Sequence, residues 1–190
     1  KGPLYGRSHG DDAGFEEENS SDNDYEERIR EYKILAKEMY QRVYAGYIGT
    51  RQVLTFILGD YNMCLQGSGS SDLRAVMPME VQRLAYGNHM IKTIQNQKTT
   101  IKGRSRKNPE TIYYGEDNLA NNYDHFSYEE KLEDSIGIIG KRIDAESLYQ
   151  GKYPGLQDAN GSTIRNEYEA YRMLISDHLP IMMTVSISKR

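Results

Sequence analysis

The run Val53-Leu54-Thr55-Phe56-Ile57-Leu58 ends abruptly at Gly59-Asp60-Tyr61-Asn62. A short apolar run closed by glycine describes a β-strand buried on both faces, which places a buried strand over 52–58. Past the glycine come two short polar side chains, one residue apart. On extended chain, residues i and i+2 share a side. Asp60 and Asn62 are therefore placed to hold one phosphate or one water at the rim of a rigid sheet.

The rest of the chain supplies partners for that strand. Ile29, Tyr32, Ala36, Met39 and Val43 recur at helical spacing with charged residues between them. This predicts a helix with one face on a sheet. Asp24 with Glu27 resembles a capping box at its start, and Gly46 and Gly49 mark its end. Ahead of it, residues 1–23 read as an acidic, mobile loop. Gly67-Ser68-Gly69-Ser70-Ser71 is a loop. A second helical pattern over 72–85 is limited by Pro78, and 88–100 fits helix or strand equally. Asn121 to Tyr128 enters a strand, Ile136-Gly137-Ile138-Ile139 is another, and Asn166 to Leu174 is helical. Ile181, Met183, Val185 and Ile187 alternate with Met182, Thr184, Ser186 and Ser188, the period of a half-buried strand.

Composition narrows the function classes. The 190 residues hold a single cysteine, Cys64, which excludes an internal disulfide and a multi-cysteine zinc site. No stretch approaches the roughly 20 apolar residues of a membrane span. A net charge of −4 argues against a protein that coats nucleic acid through bulk positive charge. The charge is uneven, however: residues 11–27 hold nine carboxylates and no base, whereas 98–107 hold Lys98, Lys102, Arg104, Arg106 and Lys107 and no acid. The basic segment offers phosphate contacts through Lys98, Lys102 and Arg104, or is a solvated loop.

Two more polar clusters open strands, Tyr123-Asp124-His125 and Ser176-Asp177-His178-Leu179-Pro180. In an antiparallel sheet the end of one strand and the start of its neighbour share an edge. Asp60, Asn62, Asp124, Asp177 and His178 can thus lie along one rim. A histidine beside a carboxylate suits general-base chemistry. Clustered Asp and Asn oxygens suit a hard cation.

Gly59-Asp60-Tyr61-Asn62 resembles the Gly-Asp-Phe-Asn motif of the endonuclease/exonuclease/phosphatase superfamily, the deoxyribonuclease I-like fold. Ser176 to Pro180 resembles its C-terminal Ser-Asp-His-x-Pro motif, and Tyr123-Asp124-His125 its Tyr-Asp-Arg segment with His for Arg. The resemblance runs from about residue 25 to the end. It implies an α/β (α+β) chain forming the C-terminal half of a four-layer α/β/β/α sandwich, mainly antiparallel sheet with helices on one face. It implies a metal-dependent phosphoesterase, a nuclease first, with a phosphatase, a phospholipid phosphodiesterase or a non-catalytic binding module as alternatives. His178 would be the general base, Asp124 its orienting carboxylate, and Asp60 and Asn62 the residues that position the nucleophile. Asp177 would help bind Mg²⁺, or Mn²⁺ or Ca²⁺ in its place.

The family's N-terminal half, with its principal metal-binding Glu, has no counterpart that can be placed in this chain. By the resemblance, the chain alone is then expected to be nearly inactive. Its apolar sheet face is expected to be covered by an N-terminal half or a second copy.

Overall fold

Helix packing on a sheet begins at the N-terminal end of the computed structural model, which describes residues 17–47, 54–69, 73–95, 97–105 and 107–187. Helix α1 (Glu17–Ile34), a π-helical segment (Leu35–Met39) and α2 (Tyr40–Tyr47) form one uninterrupted run of helix. The helix starts at Glu17, not near Asp24, so Asp24 is an interior residue and the expected capping box does not operate. Residues 17–23 are helical instead of loop; acidic sequence suits a helix N-terminus, where the backbone dipole is positive. The remainder of the acidic stretch, 1–16, lies outside the described residues, as do Gly49 and residues 70–72.

The expected apolar stripe holds for one half of the helix. Tyr32 and Ala36 are buried, and Ile29 packs beside them. Beyond Ala36 the inward position passes to Tyr40, and Val43 is 46% exposed. The π segment accounts for this. Its wider i→i+5 turn adds a residue and rotates the following face. The Met39 side chain is not among those described.

Among the described residues, four strands form an antiparallel sheet: β1 (Phe56–Asp60), β2 (Arg83–Tyr86), β3 (His89–Ile94) and β4 (Asp124–Glu129), in the order β1-β4-β3-β2. Two more, β5 (Ile136–Arg142) and β6 (Ile181–Ile187), pair antiparallel as a second sheet. The protein is thus mixed α+β, with a four-stranded and a two-stranded antiparallel sheet and helices. The expected helix over 72–85 is divided. A 3₁₀ turn at Leu73–Ala75 and a single-turn helix α3 (Met79–Gln82) give way to β2. Pro78 sits at the N-cap of α3 and cannot continue a helix from before it. The ambiguous stretch 88–100 contains β3, which pairs with both β2 and β4.

The strand register divides the residues between two faces. Phe56, Leu58 and Asp60 oppose Tyr128, Phe126 and Asp124, while Ile57 and Gly59 oppose Ser127 and His125. The second set faces the helix. There the Tyr32 hydroxyl lies 2.9 Å from Thr93 Oγ1 and donates to Ser127 Oγ at 3.1 Å. Around it Met63, Leu65, Met77, Val81, Leu84 and Ile91 close the core. Burying each large apolar side chain contributes roughly 1.5–3 kcal/mol.

On the first face the expectation of a fully buried strand fails. Leu58 is 66% exposed, because β1 is an edge strand of the described sheet and the helix covers only its other side. Phe126 on this face is nonetheless buried. It lies against Gly140 of β5, where a Cβ would come within 2.9 Å of its ring and 3.1 Å of Ile94.

Helix α4 (Glu167–Leu174) starts at Asn166, whose side chain accepts from Glu169 N at 2.8 Å. Glu169 joins distant loops. Arg104 donates to both its oxygens at 3.1 Å, and Arg165 donates to it from main chain and guanidinium. Burial alone would raise this carboxyl, but the hydrogen bonds from Arg165 and Arg104 prevail and hold it at about 2.

A carboxyl depressed on folding stabilises fully above its unfolded value of about 4.3, and that stability is lost as pH falls toward the folded value. Chemical denaturation of Glu169→Gln at neutral pH should show a loss of roughly 2–3 kcal/mol. The difference between wild type and variant should shrink between about pH 4.5 and 2. An unchanged difference across that window would contradict the assignment.

Candidate active site

At the C-terminal end of β1 the chain turns sharply. Gly59 has φ +150°, a value that excludes most side chains, although no neighbour would meet a Cβ there. The requirement is conformational. Asp60 then falls on the open face, and Tyr61 on the helix face. The Tyr61 hydroxyl donates to Ile57 O at 3.2 Å and lies 2.9 Å from Ser127 Oγ. Its ring packs on Tyr32 and His125, with centroids at 5.2 and 5.3 Å. Burial pushes the Tyr61 hydroxyl far above its ordinary pKa, so it acts as a neutral anchor.

Asn62 is not on extended chain as the sequence suggested. It adopts φ +51°, a left-handed conformation that Asn tolerates better than most residues. Its main-chain N–H donates to Asp60 Oδ1 at 2.8 Å, and its carbonyl accepts from Arg28 Nη1 at 2.9 Å. Asp60 and Asn62 are therefore linked by a turn, and the Asn62 side chain is exposed.

Asp124 opens β4 directly opposite Asp60. His178 arrives from a different part of the chain. Thr100 and His178 form an antiparallel bridge, with Ile101 N donating to Asp177 O at 2.7 Å and Leu179 N to Thr99 O at 2.8 Å. This seats the imidazole between the two carboxylates. His178 Nδ1 lies 2.8 Å from Asp124 Oδ2, and Nε2 lies 3.9 Å from Asp60 Oδ2. A carboxylate accepts only, so Nδ1 carries the proton and Nε2 has the free lone pair when the ring is neutral. The bond to Asp124 raises the His178 pKa above its ordinary value. Burial opposes this, and the charges of Asp124, Asp60 and Asp177 reinforce it. Ligand atoms of Asp60, Asp124 and His178 all lie within 4.8 Å of one another.

The other expected residues are placed differently. Asp177 is more than half exposed, and its carboxylate lies 3.7 Å from Arg172 Nη1. Arg104 is engaged by Glu169, by Thr163 O at 2.7 Å and by Asp158 at 3.6 Å, so its guanidinium belongs to the α4 network and not to this rim. The Lys102 ammonium lies 4.7 Å above the Tyr113 ring. Lys98 contributes its main-chain carbonyl to Arg142. His125 of the Tyr-Asp-His segment is fully buried on the helix face, with Nε2 2.6 Å from Met63 O and Nδ1 3.0 Å from Gln95 O. Burial depresses its pKa, and the two backbone carbonyls oppose that shift.

Two residues that sequence reasoning passed over hold the rim together. Asn122 is fully buried; its Nδ2 donates to Gln95 O at 2.8 Å and Gln97 O at 2.7 Å, and its Oδ1 accepts from Leu65 N at 3.1 Å. Gln95, at φ +84°, donates from Nε2 to Asp124 O at 3.1 Å and accepts from Gln97 N at 2.6 Å. Their amides tie the loop after β1, the end of β3 and the entry to β4 into one unit. The signal in the sequence was slight: an Asn pair before a strand and a Gln after one.

With this geometry established, comparisons with protein-family models, with curated proteins and with solved structures find no match for the chain. Among the described residues, no helix is long and apolar enough to cross a membrane.

Asn122→Leu keeps the volume but strands two carbonyls and one N–H in the interior. Chemical denaturation should show a loss of about 2–4 kcal/mol, since each unsatisfied buried group costs roughly 1–3 kcal/mol. A loss below about 0.5 kcal/mol would show that the amide network does not hold the rim. Separately, proton NMR in metal-free buffer should find His178 titrating above 6.5 and shifting downward in Asp124→Asn. Because its folded pKa is raised, His178 stabilises the fold below the unfolded value, and that contribution is lost as pH rises through the folded one.

Proposed function

We propose that the protein is a phosphoesterase of the deoxyribonuclease I-like class, acting first on phosphodiester bonds of nucleic acid, with His178 as general base. The observation that carries this reading is the bond between His178 Nδ1 and Asp124, which leaves Nε2 toward Asp60 at the open rim. A substrate water accepted between Nε2 and Asp60 gives its proton to Nε2 as its oxygen attacks phosphorus; the P–O bond to the leaving sugar oxygen breaks, and that oxygen takes a proton from bulk water. The Asp124 carboxylate stabilises the imidazolium that forms. A positioned base of this kind contributes about 10²–10⁴-fold. The exposed Asn62 amide donates to a phosphoryl oxygen as charge develops, without the repulsion a carboxylate would bring.

A hard divalent cation, Mg²⁺ first and Mn²⁺ or Ca²⁺ by the same chemistry, suits the oxygens that hydrogen bonds leave available on Asp60 and Asp124. Held by Asp60 and Asp124, such a cation would supply neutralisation of charge on the phosphoryl group. Asp177, which faces Arg172, would help hold that cation from further out. Lys98 and Lys102 flank Thr100, the bridge partner of His178, and serve as outer phosphate contacts. Arg104 does not.

On this reading the two sheets and the helices are half of a four-layer α/β/β/α sandwich. The part of the Asp60 face left open by β5, around the exposed Leu58, is where a second half, or a second copy, would pack and complete the site. The 190-residue chain alone is then a weak catalyst.

The test is hydrolysis of an oligonucleotide, a bis-aryl phosphodiester and an aryl phosphomonoester by the full-length protein with Mg²⁺. We expect phosphodiesters to be preferred, chelator to abolish turnover, and His178→Ala to lower it by about 100-fold or more. Full activity in His178→Ala would end this assignment. Preference for the monoester would redirect the reading to a phosphatase.

A further inference from the structure

On the helix side of the Asp60-Asn62 turn lies a cavity of about 410 Å³, within the usual range for small-ligand sites. Its walls include Arg28, Glu31, Ile34 and Leu35 from the helix, and Asp60 and Asn62 from the turn. Ile34 and Leu35 stand where α1 passes into the π segment, a helix irregularity that often marks functional sites. The cavity shares Asp60 and Asn62 with the candidate active site, and His178 and Asp124 are not among its lining residues.

Arg28 gives this cavity its character. Arg104, Arg142, Arg165 and Arg172 each pair with a carboxylate. Arg28 forms no such pair among the described residues. One nitrogen donates to Asn62 O, which fixes the guanidinium beside the turn and leaves its other donors available. A planar cation held this way, with no carboxylate in ion-pair range among the described residues, offers its remaining donors to a phosphate, although Glu31 and Asp60 share the wall.

Resting on the phosphodiesterase reading above, we propose that the cavity is a nucleotide subsite. Arg28 takes the phosphate next to the scissile one, and the space bounded by Ile34, Leu35 and Tyr61 takes the attached nucleoside. Glu31 on the same wall offers an acceptor to base or sugar N–H and O–H groups. A mixed wall with a cation, two carboxylates and apolar surface suits a nucleoside better than an acyl chain, which needs uniformly apolar lining. The subsite lies on the helix side, away from the basic segment around Arg104. Nucleic acid recognition is thereby assigned to a different element from the one the charge pattern suggests.

The test is calorimetric titration of the 190-residue chain, in chelator, with thymidine 3′,5′-bisphosphate and with inorganic phosphate. The bisphosphate should bind at least about tenfold tighter than phosphate. Arg28→Ala should weaken both about tenfold. Ile34→Trp, which fills the cavity from a half-exposed position, should weaken the bisphosphate about tenfold and leave phosphate within about twofold. Equal affinity for the two ligands, or bisphosphate affinity within about twofold of wild type in either variant, overturns the proposal. So does displacement of the bisphosphate's place by a short-chain lysophospholipid that binds tighter. If thermal unfolding shows that Arg28→Ala is poorly folded, Ile34→Trp decides alone. Loss of hydrolysis in His178→Ala tests the phosphodiesterase reading independently, so the two can fail separately.

Discussion

The antiparallel pairing of β1 with β4 is the constraint on which the rest depends. It sets Asp60 opposite Asp124 on one face and places Gly59 and His125 on the other. Because side chains alternate with period two, a slip of β1 by one residue would turn Asp60 toward the helix face, away from Asp124. Several features oppose that slip. Tyr61 is anchored through its hydroxyl to Ser127, His125 is held between Met63 O and Gln95 O, and Asn122 joins three backbone segments below. His125 and Asn122 are fully buried and Tyr61 is partly buried, and each finds partners in another part of the chain. That makes the register costly to change and the rim rigid.

On the proposed reading, rigidity at this rim serves proton transfer. A general base works when its lone pair is aimed before substrate arrives. His178 lies on neither β1 nor β4; the Thr99–Ile101 segment brings it in, and α4, through the Arg172 contact with Ile101 O, supports that segment. The Glu169 network then fixes α4 to the loops around Arg104 and Arg165. The basic segment thus contributes to the site by positioning the histidine, while one of its own cations is held within the fold.

The parts legible in the sequence were those written in local pattern. Alternation at 181–187 gave β6, the Asn-capped run gave α4, and short polar clusters at strand ends marked Asp60, Asp124 and His178. The structure brings those three together. Other features depended on distant partners and left little local trace. The π segment exchanges Val43 for Tyr40 in the core, an effect of one extra residue that no regular period encodes. Leu58 was read as buried because an apolar run looks the same on an edge strand as on a central one. Arg104 read as a phosphate contact because its partner, Glu169, is 65 residues away. Asn62 read as extended because its left-handed turn is closed by Asp60 itself.

The central claim is that Asp124 and His178 act as one unit in proton transfer. A double-mutant cycle on phosphodiester hydrolysis by the full-length protein, with Asp124→Ala, His178→Ala and the double variant, tests it most directly. Residues acting as a unit are strongly non-additive, so the double variant should be no slower than His178→Ala alone, within about threefold. A double variant whose loss equals the product of the two single losses would show that the two residues act independently, and would contradict the account.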